Sequence, residues 1–331
     1  MGTTVVGNTN VDIPNKEDTN KSVFAKFMDK RKLKFRIMLK QMKEHKVLYL
    51  FLAPYAILFT LFVVAPVIIS IFLSFTYFNV LEAPRFVGFE NYLTLFLSDD
   101  VFLIALRNTV VLAAITGPIG YIMAFLFAWF IYELPRYIRA FVTLVFYAPT
   151  ISGSVFLVWQ LIFAGDAYGF ANAYLMQWGF ITEPQLWLSD PSLMMPVIIV
   201  VALWMSLGAG FLAFIAGLST VDPILYEAGL IDGIKNRWQE LWFITLPNMK
   251  GMLMFGAVMS ITASFAIGDV TAQLAGFPST DYAVHTVINH LVDYGSFRFE
   301  MGYASAIATV LFLTMIYTNK LVQKFLRRVG T

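Results

Sequence analysis

Six runs of apolar residues divide this chain, each long enough to cross the roughly 30 Å hydrocarbon core of a bilayer as a helix of about 20 residues. They lie at Leu48–Tyr77, Ile104–Tyr132, Ile138–Ala164, Leu193–Leu218, Gly251–Ala272 and Tyr303–Leu321. Inside hydrocarbon every backbone N–H and C=O must be satisfied within its own segment, so such runs form helices. The expected fold class is all-α, a polytopic membrane protein with six transmembrane helices. Composition agrees: 13% of residues are charged, against roughly a quarter in an ordinary soluble protein. The first run is longer than a span needs, so its end leaves the membrane or the helix tilts.

Lysine and arginine set the orientation, because loops rich in them stay in the cytoplasm. The segment before the first run is basic from Lys16 to Lys46. The next connection has Arg85, with Arg107 at the start of the second run. Then come Arg136 and Arg139, a connection with no cation, and one with Lys235, Arg237 and Lys250. Arg298 stands alone before the last run, and Lys320, Lys324, Arg327 and Arg328 close the chain. This alternation predicts a multi-pass protein of the cell membrane with both termini cytoplasmic. Residues 1–46 read as a cytoplasmic basic tail and 47–331 as the transmembrane domain, with a polar cytoplasmic loop near 219–250. Within the tail, cations alternate with Val23, Phe24, Phe27, Leu33 and Phe35. That pattern suits an amphipathic helix on an anionic inner leaflet, and the residues ahead of it read as disordered. No cleavable signal is expected, since this basic tail precedes the first apolar run.

Several function classes drop out. A net charge of +2 suggests no nucleic-acid partner, and the absence of cysteine removes disulfides and thiolate metal sites. His45, His285 and His290 show no metal-ligand grouping and read as surface residues. There is no glycine-rich phosphate loop with GK[ST], so the chain should neither bind nor hydrolyse ATP itself. No nucleophile–base pair stands out, so it does not read as an enzyme. Few ionisable groups lie within the apolar runs; Asp269, near the outer end of the fifth, is the main one. An ion-driven carrier needs buried carboxylates or histidines. Their scarcity counts against the alternative reading, a secondary transporter or channel for a small polar solute.

The stretch Tyr226–Pro247, YEAGLIDGIKNRWQELWFITLP, is organised too well for a plain connection. Asp222-Pro223 reads as an N-cap with proline at the first helical position. Ile224, Ala228 and Ile231 recur at helical spacing, Gly233 can end that helix, and Asn236 with Gln239 can cap a second short one. A polar, structured loop on an apolar protein is a docking element for a soluble partner. Breakers also lie inside the runs: Pro54, Pro66, Gly117-Pro118, Pro149 with Ser152-Gly153-Ser154, Pro196 and Gly208-Ala209-Gly210. Singly they suit close packing; together they also suit a bundle that rocks between two arrangements.

The loop resembles the cytoplasmic signature of ABC importer permeases, Glu-Ala-Ala-x-x-x-Gly, nine residues, then Ile-x-Leu-Pro. Glu227-Ala228-Gly229 and Gly233 take the first part, and Ile244-Thr245-Leu246-Pro247 the second. Gly229 replaces the second alanine. Ten residues rather than nine follow Gly233, which places one extra residue near Lys235-Asn236. The segments Phe86–Tyr92, Ala105–Thr109 and Gly302–Ala306 also resemble the carbohydrate-type permeases related to maltose and glycerol-3-phosphate importers. Leu274–Pro278 is a weaker match. The resemblance implies a type I ABC importer permease fold. It also implies pairing with a second permease chain, two cytoplasmic ATPase subunits that use the ATP, and an extracytoplasmic substrate-binding protein. On that reading Glu227, Ala228, Gly229, Asp232, Gly233, Leu246 and Pro247 form the ATPase-coupling element. Glu227 and Asp232 either meet a partner's cations or stabilise the loop's own fold.

For the substrate path, Trp159 and Trp204 can stack on sugar faces if they line it, and Gln160 and Asp269 can meet hydroxyls. Packing is the plainer role for either ring. Asp269 reads as a gate residue or as a structural partner, facing the interior or an outer cavity beside a polar or cationic neighbour. A carbohydrate substrate rests on the resemblance.

Overall fold

A computed structural model describes residues 44–152 and 155–326. Residues 1–43, where the amphipathic tail helix is expected, lie outside them. Among the described residues, five helices are long and apolar enough to cross a membrane: Lys46–Leu73, Asp100–Tyr132, Pro191–Leu218, Lys250–Ala275 and Met301–Phe325. A sixth span is counted if Arg136–Ile151 and Val155–Ile162, bent 86° to one another, act as one. The third span is thus broken where Pro149 and Ser152-Gly153-Ser154 sit in the sequence. Ser152 leaves the first half in an extended conformation.

The second and fourth spans start earlier than their apolar runs, because a helix begins at its cap. Asp99 accepts the N–H of Phe102 at 2.8 Å. Asp190 accepts that of Ser192 at 2.8 Å, with Pro191 in the first position. The third departure from plain spans is a two-residue hairpin after the first helix. It pairs Thr76 with Phe86 and Tyr77 with Arg85.

The described residues separate into two units, divided between Ile68 and Ile69. The first holds a π-helical turn over Thr60–Val64, closed by the Ala65 N–H donating to the Thr60 carbonyl. Pro66 follows directly. A proline has no N–H and crowds the carbonyl four residues back, and the wider turn ahead of it relieves that crowding.

In the second unit the Asp100–Tyr132 span is the axis. It packs against Ala209–Leu218 and Lys250–Phe265, which also pack on each other. Phe214 fills the seam, edge-on to Tyr121 and Phe125 at 5.4 and 5.6 Å. A Cβ at Gly256 would lie 2.3 Å from the Phe214 ring, so only glycine lets the fifth span come this close. The fourth span breaks between Met205 and Ala209, and the fifth between Phe265 and Gly268. A cavity of about 360 Å3 opens beside both breaks, lined by Thr116, Thr150, Ser206, Gly208, Ser260 and Ser264 among others.

Candidate functional site

At one end of the axial span, the Tyr226–Pro247 loop folds largely as its sequence spells out. Asp222 accepts the Ile224 N–H at 3.0 Å and opens the helix Pro223–Ile231. A Schellman closure ends it: Ile234 N–H donates to the Gly229 carbonyl at 2.9 Å and Gly233 N–H to that of Leu230 at 3.3 Å. Gly233 sits at φ +94°, a region that side chains disfavour. The longer turn then keeps its amides satisfied. Gln239 N–H donates to Asn236 Oδ1 at 2.9 Å, and Lys235 N–H donates to Gln239 Oε1 at 2.8 Å. The return arm of this cap reaches Lys235, one residue before the Asn236 amide of a standard capping box. Helix Arg237–Glu240 follows and runs into a π turn over Leu241–Thr245.

The loop is a rigid piece. A Cβ at Gly229 would lie 2.7 Å from Ile244 Cδ1 and 2.9 Å from Ile234 Cδ1. Glycine in place of the signature's alanine lets both isoleucine side chains pack against the helix, and an alanine needs their terminal methyls to shift. The Tyr226 hydroxyl lies 3.0 Å from Thr245 Oγ1 and joins the two halves. Ile224 and Ile231 are 66% and 88% exposed. Glu227, Ala228, Asp232, Gly233 and Pro247 are exposed too, Leu246 is half-buried, and Gly229 alone of the seven expected coupling residues is buried. The Glu227 and Asp232 carboxylates make no hydrogen bond or ion pair among the described residues, so they do not hold the loop's own fold together. Arg237 ties the loop to the axial span, 3.0 Å from Glu133 and 2.9 Å from Glu240. Beside it Trp238 lies against Trp129, ring centres 5.3 Å apart.

The other end of the axial span holds a cluster that sequence reasoning missed. Asp99 Oδ2 accepts from the Tyr303 hydroxyl at 2.7 Å and lies 2.9 Å from His290 Nε2. His285 and His290 are 3% and 2% exposed, which corrects the expectation that they are surface residues; His45 is exposed. Their segment folds inward on polar anchors. Asn108 Nδ2 donates to the Tyr282 and His285 carbonyls at 3.0 Å each, and Val287 N–H donates to Thr109 Oγ1 at 2.9 Å. Asn289 Nδ2 donates to the Gly268 carbonyl at 3.1 Å, and Asn289 Oδ1 takes the Thr271 and Thr286 hydroxyls. Burial alone would raise the Asp99 pKa, yet the Phe102 N–H, the Tyr303 hydroxyl and His290 together hold it below the usual carboxylate value. Burial, then the neighbouring His290, pushes His285 down to about 4.

The dispersed segments of the resemblance meet around this cluster. Asn91 Nδ2 donates to the Ser74 and Thr76 carbonyls at 2.9 Å each. Gly302 N–H donates to the Phe78 carbonyl at 3.0 Å, and a Cβ at Gly302 would lie 2.1 Å from the Thr76 carbonyl oxygen. Their residue types are set by closure of this end of the bundle.

The expected path residues only partly converge. Trp159 and Trp204 meet at 5.2 Å, edge to face, with Phe163 stacked on Trp159 at 5.7 Å. Gln160 Nε2 donates to the Gln273 carbonyl at 2.6 Å, one helical turn beyond Asp269. Asp269 is exposed and has no polar or cationic partner among the described residues, contrary to the neighbour expected for it. None of these four lines the 360 Å3 cavity.

Comparison with known proteins agrees with this picture. Residues 116–330 match the family described as binding-protein-dependent transport system inner membrane component. The chain is 30% identical to the arabinooligosaccharides transport system permease protein AraP of Bacillus subtilis, over 82% of this chain and 85% of that one. It is 30% identical to the lactose transport system permease protein LacF of Rhizobium radiobacter, over 80% and 89%. Among solved structures it overlays a chain of a bacterial ABC transporter involved in the import of the acidic polysaccharide alginate. There the TM-score is 0.71 at 23% identity, over 89% of this chain and 99% of that one. A bacterial alginate ABC transporter in complex with an alginate pentasaccharide-bound periplasmic protein gives a TM-score of 0.67 at 24% identity, over 88% and 99%.

Proposed function

We propose that this chain, which belongs to the family of binding-protein-dependent transport system inner membrane components, is a permease subunit of an ATP-driven carbohydrate importer. The observation that carries the reading is the family match over residues 116–330, which takes in the whole docking loop. Relatives named for arabinooligosaccharides and lactose, and a structural neighbour that imports alginate, support a sugar or oligosaccharide as cargo. The chain pairs with a second permease and sits on two ATPase subunits, which bind and hydrolyse the ATP. An extracytoplasmic binding protein delivers the cargo, as the neighbour's periplasmic protein suggests. Both termini and the Tyr226–Pro247 loop are cytoplasmic by the lysine and arginine alternation, so the Asp99 cluster is extracytoplasmic.

The loop's geometry supports a coupling role. Helix Pro223–Ile231 offers Ile224, Ala228 and Ile231 to an apolar groove on the ATPase, with Glu227 and Asp232 free to meet its cations. The loop is closed by its own caps and by Gly229, so it moves as one body. Arg237 and Trp238 hand that motion to Glu133 and Trp129 on the axial span. Between the broken fourth and fifth spans, the cavity has a mainly apolar lining with a few Ser and Thr hydroxyl oxygens, a mixture that suits the apolar faces and hydroxyl edges of a sugar. Asp269 lies exposed on the fifth span, away from this cavity and with no partner in place among the described residues, and a gate role for it is tested by Asp269→Asn, which should assemble normally yet alter uptake. The test is uptake by reconstituted vesicles. Sugar should accumulate only with ATP, both ATPases, the second permease and the binding protein. Uptake by this chain without ATP or an ATPase would overturn the proposal.

A further inference from the structure

The connection between the third and fourth spans folds into a small module with reversed polarity. Its helix, Phe170–Gln177, buries an asparagine and exposes aromatics. Asn172 is fully buried. Its amide donates to the Ala164, Asp166 and Gln185 carbonyls at 3.1, 3.0 and 3.0 Å, while its Oδ1 accepts the Gln185 N–H at 3.0 Å and the Trp187 indole at 2.8 Å. Gly169 lets the base close, since a Cβ there would lie 2.2 Å from the Ala164 carbonyl oxygen. On the other side Phe170, Tyr174 and Trp178, four residues apart, are 56%, 55% and 67% exposed, and Phe180 is 73% exposed. Tyr174 lies 6.0 Å from Trp178, which lies 6.3 Å from Phe180, so the rings form one strip. No charged residue occurs from Ala167 to Thr182. The Asp166 carboxylate is engaged by the Tyr168 and Gly169 N–H groups at 2.9 and 2.7 Å.

A helix facing water hides its aromatics and shows its amides. This one does the reverse, and a patch of that kind marks an interface. A docking protein that comes and goes would leave the strip wet between visits, whereas a bilayer stays. The preceding helix packs on this module and is itself apolar and exposed: Leu157, Val158 and Leu161 are 60%, 56% and 63% exposed, as side chains of a membrane-crossing helix are. Tyrosine and tryptophan, each an apolar body with a polar tip, are enriched where headgroups meet acyl chains. We infer that Phe170, Tyr174, Trp178 and Phe180 form a membrane foot. It rests in the headgroup–acyl boundary of the bilayer and holds the connection between the third and fourth spans down on it. Assignment to the outer leaflet rests on the orientation proposed above; occupancy by lipid does not.

The chain has no cysteine, so single-cysteine variants report cleanly. Tyr174→Cys, Trp178→Cys and, as control, Glu183→Cys are each labelled with a fluorophore in the assembled transporter. They are then reconstituted into phosphatidylcholine vesicles, with or without lipid brominated near the headgroup. Labels at 174 and 178 should lose emission in brominated vesicles and resist aqueous iodide, with and without the transporter's binding protein. The label at 183 should show the opposite. Both test positions are more than half exposed, so the fold survives the change, and Phe180→Cys serves if either variant fails to assemble. Absence of bromolipid quenching overturns the inference: with iodide quenching the strip faces water, and without it the strip lies against another chain of the transporter. Shielding from iodide that appears only when the binding protein is added also overturns it, by making the strip a docking site. Since no transport is measured, either failure leaves the importer reading standing.

Discussion

Gly233 shows what a single position can dictate. Its φ of +94° costs a residue with a Cβ about 1–2 kcal/mol, so Gly233→Ala should loosen the Schellman closure. Gly229→Val adds a clash with Ile244 and Ile234, at about 1–3 kcal/mol for an overpacked site. Both variants should insert normally yet copurify with less ATPase, with Gly229→Val the weaker binder; equal recovery with the parent chain would refute this. The free carboxylate of Glu227 predicts a different pattern: Glu227→Lys should keep the loop's stability and lose ATP-driven uptake. These residues were legible because a cap and its partner lie within a few positions of one another. Asp99 and His290 were not, being 191 residues apart in the chain and joined only by the fold. The cluster carries a pH signature through His285 and Asp99. The ordinary histidine value is 6.5, and His285 is pushed to about 4 in the fold, so acid protonates the unfolded chain first. Stability is then full above about pH 6.5 and falls by about 1.4 kcal/mol per pH unit as pH drops toward 4. Asp99, held below 3.8, adds a loss of the same sign at still lower pH. Thermal melts from pH 7.5 to 4.5 should show the decline, and His285→Phe should flatten it.

Among the elements, the spans were legible from their apolar runs and their ends were not, because a polar N-cap such as Asp99 or Asp190 extends a helix beyond its greasy part. The breaker residues marked real breaks in the third and fourth spans. The break in the fifth, at Ala266-Ile267, carries neither proline nor glycine at its centre and had no signal. The brace between loop and axial span was likewise invisible, since Glu133 and Trp129 look unremarkable in sequence. An exposed ion pair contributes only about 0–1 kcal/mol, so Arg237→Gln should leave the melting temperature nearly unchanged. Trp129 is 7% exposed and its truncation costs about 3–5 kcal/mol. If the brace transmits motion, Arg237→Gln and Trp238→Ala should retain ATPase binding and basal hydrolysis but lose stimulation by the binding protein. Full stimulation in both variants would remove the brace from the coupling route.

At the scale of the whole molecule, orientation is the statement on which the rest depends. Cysteines at the exposed Ser189 and Thr280 should react with an impermeant reagent in intact cells, and one at Asn236 only after the cells are opened. Ser279, buried beneath its loop, is a poor reporter. External labelling at Asn236 would invert the assignment of both ends. The axial span itself has a further consequence. Its 33 residues rise about 50 Å at 1.5 Å each, well beyond the hydrocarbon, and one helix therefore touches the Tyr226–Pro247 loop through Trp129 and the histidine cluster through its cap Asp99. Linkage makes such a connection reciprocal. On the proposed importer reading, whatever factor by which binding of the delivery protein favours the loop's hold on an ATPase, that hold favours the binding by the same factor. In the proposed assembly this helix is the direct connection between the two ends, and hydrogen exchange around His285 should change when only the ATPases are given nucleotide.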